Sequence, residues 1–179
     1  LGIDKIRITG GEPLVRKGLM GFLHELKNVD GIREVNLTTN AVLVGPYLEA
    51  LLAAGIRRLN ISLDTLRRER FARLAGHDFF DQVWANIRRA DELGFTPLKI
   101  NVVAMRGIND DEFEAIATLT REHPFHIRFI EYMPMGNPHL RDDPFISNED
   151  VRRRIASLGR LEPVVREATD GPAERFRLA

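Results

Sequence analysis

"KIRITGGEPLVR", residues Lys5 to Arg16, decides the fold. Its first half alternates. Ile6 and Ile8 share one face of an extended segment, and Lys5, Arg7 and Thr9 share the other. Its second half is a turn, Gly10-Gly11-Glu12-Pro13. Beyond the turn, Leu19, Phe22, Leu23 and Leu26 recur at helical spacing. A strand, a tight turn and an amphipathic helix make the first half of a crossover unit.

The same unit recurs along the chain, which predicts a parallel sheet. The expected strands are Lys5–Thr9, Glu34–Thr38, Arg58–Leu63, Leu98–Ala104 and Phe125–Tyr132. The expected helices are Gly18–Leu26, Pro46–Ala54, Arg68–Leu74, Phe80–Leu93, Asp110–Glu122 and Asn148–Leu158. Pro46 suits a first turn, and Gly55, Gly94 and Gly159 suit helix ends. Asn109 with Glu112 reads as a capping box, and Ser147 as the cap of the last helix. The tail "REATDGPAERFRLA" reads as two strands around a Gly-Pro turn. The expected whole is a single domain over residues 1–179. Its fold class is α/β, a partial, open TIM-type (βα) barrel with outer helices, truncated at both ends.

Every expected strand has one apolar and one polar face. Val35 and Leu37 oppose Asn36 and Thr38. Leu59, Ile61 and Leu63 oppose Asn60 and Ser62. Leu98, Ile100 and Val102 oppose Lys99 and Asn101, and Ile127 and Phe129 oppose His126 and Arg128. A closed barrel fills its interior with layers of Val, Ile and Leu. Lys5, Arg7, Lys99 and Arg128 cannot pack that way, because an unpaired cation in a dry interior costs several kcal/mol. An open sheet whose concave face holds a polar ligand resolves the conflict. No acidic residue is expected among the inward positions, so the ligand reads as a polyanion such as a phosphate ester. An antiparallel sheet with one solvated face gives the same alternation, but the intervening helices argue for crossovers.

Composition sets limits. The 179 residues carry 26 basic and 26 acidic side chains, so no net charge points to nucleic acid or a membrane surface. No run of about 18 apolar residues and no signal peptide is visible, which makes the cytoplasm the default location. There is no cysteine, so these residues hold no disulfide, thiol nucleophile or thiolate-bound metal. The chain begins with Leu1, not Met, inside a motif, and it reads as a fragment.

Loops at the carboxyl ends of parallel strands build sites, and "GGEP" lies at such an end. The glycines allow close approach to the backbone, and Glu12 suits an ammonium group. A plain tight turn with Glu12 in water remains open on these residues alone.

"IRITGGEPLVRKGL", "LTTNA", "RLNISLD", "LKINVVAMRGINDDE" and "IRFIEYMPMGN", in this order, resemble the GTP 3′,8-cyclases. These are radical S-adenosylmethionine enzymes of the first step of molybdenum cofactor biosynthesis. The resemblance is strong over about residues 1–136 and fades in the tail. It implies that Gly11, Ser62 and Met133 hold S-adenosylmethionine, with Gly10 and Glu12 beside its amino group. It implies that Arg7, Thr38 and Lys99 contact GTP, with Lys5 and Arg128 as further active-site cations. The family uses two 4Fe–4S clusters held by cysteine trios on either side of this region. This chain has neither trio, so the resemblance implies no metal ligand and no catalytic acid or base here. In the reaction so implied, a radical made from S-adenosylmethionine removes hydrogen from the ribose 3′ carbon of GTP, which then bonds to guanine C8. The product passes to cyclic pyranopterin monophosphate synthase, and a homodimer is an expected state.

Three alternatives stay open on the sequence. They are a radical S-adenosylmethionine enzyme acting on a peptide or other substrate, a non-catalytic phospholigand-binding barrel, and a cysteine-free homologue. His77 has no partner at metal-ligand spacing, His123 and His126 flank Pro124 at a strand start far from its carboxyl end, and Trp84 reads as packing. The basic runs Arg67–Arg70 and Arg152–Arg154 read as solvated helix faces.

Overall fold

The computed structural model describes residues 2–133, 144–165 and 173–179. Five strands form one sheet in chain order: β1 (Lys5–Ile8), β2 (Glu34–Thr39), β3 (Leu59–Ser62), β4 (Leu98–Ala104) and β5 (Phe125–Glu131). β1 pairs parallel with β2, β2 with β3, and β3 with β4. The sheet does not close, so β1 and β5 are its edges, the arrangement of an incomplete (βα) barrel. Between the strands lie α1 (Leu19–Lys27), α2 (Leu48–Ala53), α3 (Arg68–Ala75), α4 (Phe80–Glu92) and α5 (Phe113–Glu122), followed by α6 (Asn148–Ile155).

The apolar strand face is buried where central strands carry it. Leu37, Leu59, Ile61, Leu98, Ile100 and Val102 have almost no accessible surface. On the edge strand, Ile6 and Ile8 are only half-buried. Leu19 and Leu23 of α1 and Val83, Ile87 and Ala90 of α4 supply buried helix stripes. Phe22, expected on the α1 stripe, is exposed. Trp84 is half-buried.

The chain divides into two compact units. The first comprises residues 1–102 and 123–128, the second residues 103–122 and 129–179. The first contains β1–β3 and most of the polar strand face. The second has its own core of Ala104, Phe113, Ala117, Ile146, Val151 and Ile155, with Phe129, Leu158 and Leu161 against it.

Several turns follow their sequence signals. Pro46 opens a 3-10 turn, Gly45–Tyr47, that runs into α2. The Ser147 hydroxyl accepts the Asp150 amide and caps α6. Two differ. α5 begins at Phe113, three residues later than expected. Asn109 is buried; its Oδ1 accepts the Met105 amide at 2.8 Å and its Nδ2 donates to the Val103 carbonyl at 2.8 Å. Its side chain satisfies the backbone of the loop leaving β4. In the tail, β6 (Leu161–Pro163) pairs antiparallel with β7 (Phe176–Leu178). The first strand of that hairpin therefore precedes the stretch read for it, and the Gly-Pro turn lies outside the described residues.

Candidate functional site

Register arranges the polar face in tiers, because residues paired across parallel strands project to the same side. Lys5 stands opposite Glu34, and Arg7 opposite Asn36. Thr38 stands opposite Asn60, which stands opposite Lys99, and Ser62 stands opposite Asn101. All belong to the first compact unit, as does Arg128. Arg7 and Ser62 are exposed, Lys5, Thr38, Lys99 and Arg128 are half-buried, and Asn36 and Asn60 are buried.

The foot of this face corrects the sequence reading, because it contains an acid. Glu34 Oε1 lies 3.1 Å from Lys5 Nζ and accepts hydrogen bonds from Arg58 Nη1 at 3.0 Å and Asn36 Nδ2 at 2.8 Å. Burial alone would raise the Glu34 carboxyl. The hydrogen bonds from Asn36 and Lys5 and the charges of Arg58 and Lys5 outweigh it and hold the carboxyl below its ordinary range. Lys5, expected as an active-site cation, is ion-paired with Glu34, and Arg58 joins the set unforeseen. Alternation alone could have found both, since Glu34 shares the parity of Asn36, and Arg58 that of Asn60.

Above this foot the cations are unanswered. Among the described residues, no acidic side chain pairs with Arg7, Lys99 or Arg128. Burial lowers the Lys99 ammonium from its ordinary value, and repulsion from Arg128, Lys5, Arg58 and Arg7 lowers it further. Arg128 is pushed down by burial and then by Arg7. The Oδ1 atoms of Asn36 and Asn101 are buried, with no hydrogen-bond partner. A folded chain rarely leaves such groups uncompensated. Among the described residues, this part of the face presents cations without acids and two buried acceptors without donors.

The turn after β1 is exposed at Gly10 and Gly11. A Cβ built on Gly11 meets nothing within 4 Å, and its φ lies outside the left-handed region. Nothing among the described residues requires glycine there, which fits a requirement imposed by a ligand against the backbone. Glu12 does not stand free in water. Its carboxylate accepts the Leu14 amide at 3.1 Å, the Asn40 amide at 2.8 Å, and the Thr39 hydroxyl at 2.9 and 3.0 Å on its two oxygens. Thr39 Oγ1 in turn accepts the Ala41 amide at 3.0 Å. The acid thus fastens the turn after β1 to the end of β2.

Met133 belongs to the second unit and is 68% exposed. Among the other residues read from sequence, His123 Nδ1 lies 3.0 Å from Asp91 Oδ2, and its ring stacks on Phe125. His77 lies against Phe79. Arg68 bonds Asp78 and Asp81. Arg152 pairs with Glu174, Arg153 with Glu149 and Asp150, and Arg154 with Asp110. No group of three or more metal-ligating side chains occurs among the described residues.

The Radical SAM superfamily model matches residues 1–120. The chain is 45% identical over 177 residues to a GTP 3′,8-cyclase of Moorella thermoacetica, covering 99% of this chain and 55% of that protein. It is 44% identical over 180 residues to the enzyme of the same name from Thermodesulfovibrio yellowstonii, covering 100% of this chain and 56% of that protein. It spans about half the length of these curated relatives. In fold it is similar to a domain of pyruvate-formate lyase-activating enzyme from Bacteroides vulgatus. That match has a TM-score of 0.65 at 21% identity and covers 84% of this chain and 89% of that one.

Proposed function

The chain belongs to the radical SAM superfamily, and from that premise we propose that it is the central, substrate-holding part of a GTP 3′,8-cyclase. The enzymes of that name share close to half of its residues across almost its whole length. The observation that carries the substrate is the set Arg7, Lys99 and Arg128, three clustered cations with no acidic partner among the described residues. The triphosphate of GTP supplies the anion they lack. Thr38, in the same tier as Lys99, bonds the nucleotide.

S-adenosylmethionine fits the carboxyl ends of β1 and β3. Gly11 offers open backbone and Ser62 an exposed hydroxyl, with Gly10 beside them. Met133 is the fifth residue assigned to it, together with Glu12. When bound, S-adenosylmethionine supplies the hydrogen-abstracting chemistry of this superfamily. An iron–sulfur cluster does not fit these residues, because no thiolate is available to hold it. The ligands of both clusters lie outside this sequence.

What the chain itself does is positional. Rigid strands present cations that fix the phosphates and so hold the ribose in one place, a contribution of proximity and orientation. This reading requires no general base among these side chains. The assignment extends to a cytoplasmic enzyme, a homodimer, and product hand-over to cyclic pyranopterin monophosphate synthase.

Calorimetric titration of the full-length protein with GTP and with S-adenosylmethionine tests the assignment. Arg7→Ala weakens GTP and leaves S-adenosylmethionine within twofold of wild type. Equal losses for the two ligands would make Arg7 a structural residue and remove the substrate assignment.

A further inference from the structure

Glu34 has no part in the roles assigned so far, yet it accepts three donors on one oxygen: Lys5 Nζ, Arg58 Nη1 and Asn36 Nδ2. It is the acid found on the polar face among the described residues, and it sits at the amino-terminal end of β2. The face carries five cations, Lys5, Arg7, Arg58, Lys99 and Arg128, all close enough for the other four to repel the Lys99 ammonium. Glu34 engages two of them and leaves three. The remaining acceptor of its hydrogen-bonded neighbour, Asn36 Oδ1, is buried. The amide cannot turn over without bringing that oxygen against the carboxylate.

We propose that Glu34 closes the inner end of the anion site, holding Lys5 and Arg58 as internal counter-ions so that phosphate groups meet only Arg7, Lys99 and Arg128. Glu34 is then a specificity residue, not a catalytic one. It sets how strongly and how deeply an anion binds, and the class of ligand it governs is the phosphate end of a nucleotide. The inference rests on the reading of this face as a phosphate site.

The consequence runs against the usual effect of removing a buried hydrogen-bonding group. Neutralising Glu34 adds one positive charge to the face and frees two cations to meet the ligand. Affinity for a polyanion rises, and its salt dependence steepens.

Inorganic triphosphate is the probe, titrated by calorimetry into the full-length protein at two ionic strengths. Glu34→Gln binds triphosphate about tenfold more tightly than wild type at low salt, on the scale of one added charge within a few ångströms of several phosphates. Glu34→Asp, which keeps the charge, stays within about threefold of wild type. Lys5→Met, which removes one positive charge but no contact to the ligand, weakens triphosphate less than Lys99→Met does, and its loss vanishes at high salt; this arm stands even where Glu34→Gln fails to fold. Unchanged or weaker binding by Glu34→Gln, or a loss in Lys5→Met that equals that of Lys99→Met and persists at high salt, overturns the proposal while leaving the phosphate reading intact. A wild-type protein that binds neither triphosphate nor GTP overturns both.

Discussion

Two groups of basic residues, one in each compact unit, have opposite surroundings. On α6, Arg152, Arg153 and Arg154 follow one another in sequence, and each meets an acid: Glu174 at 2.9 Å, Asp150 at 2.9 Å and Asp110 at 3.0 Å. On the polar sheet face, Arg7, Lys99 and Arg128 are scattered through the sequence and gathered by the fold, and none meets an acid among the described residues. The run that looks like a phosphate patch in sequence is internally satisfied. The set that no local window reveals is the one in need of a ligand. Charge density along a chain says little about anion binding, and whether the fold answers each charge says more.

The sharpest test exchanges the expected losses. Arg7→Ala costs GTP binding about 1.5–3 kcal/mol, a loss of about 10- to 150-fold, because charge-assisted bonds to phosphate are worth that much. The midpoint of thermal unfolding without ligand does not fall, because Arg7 is exposed and bonds nothing the variant would orphan. A fall in ligand-free stability by more than about 1 kcal/mol would erase the contrast between the two groups.

Arg154→Ala does the reverse. Arg154 donates to the Asp110 carbonyl and carboxylate and lies over the Phe113 ring. Its loss destabilises the protein by about 1–2 kcal/mol, measured by denaturant unfolding, and leaves triphosphate affinity unchanged. Weakened triphosphate binding would return α6 to the candidate site.

Lys99 gives the contrast a pH dependence. Its folded-state value lies below the ordinary 10.5, so the folded protein holds this proton less firmly than the unfolded chain does. The unfavourable contribution is fully present below the folded value. It fades as pH rises through that value toward 10.5, so stability increases across that window. Lys99→Met abolishes the increase, and saturating triphosphate reduces it by supplying the missing counter-charge. A wild-type unfolding free energy that falls through the window in step with Lys99→Met would mean that Lys99 is not repelled.

The smallest effect belongs to a surface pairing, Arg152 with Glu174. Arg152→Ala shifts stability by no more than about 0.5 kcal/mol, as for other surface ion pairs. A loss above 1 kcal/mol would show that the contact of Arg152 with Phe176 does more than the ion pair.

Alternation in the sequence carried the sheet well. The polar-face residues Lys5, Arg7, Asn36, Thr38, Asn60, Ser62, Lys99 and Asn101 fall in paired registers, as parity requires. Glu34 and Arg58 obey the same parity but stand at strand starts, where residues read as boundaries. Only register reveals that Lys5 and Glu34 face each other. Asn109 shows a different limit. Its bonds to the Met105 amide and the Val103 carbonyl tie it to the loop that follows β4, a use that its spacing to Glu112 does not announce. The role of Glu12 was hidden in the same way, since its partners Thr39 and Asn40 lie 27 and 28 residues away. At "GGEP" the glycines stand open, while the acid bonds both its own turn and the end of β2.

The need of the sheet face for an anion is tested most directly by titrating the full-length protein with GTP and, separately, with guanosine at low and high salt. If Arg7, Lys99 and Arg128 hold the triphosphate, GTP binds at least a hundredfold more tightly than guanosine, and the difference shrinks as salt rises. Equal affinities for the two, unaffected by salt, would contradict it.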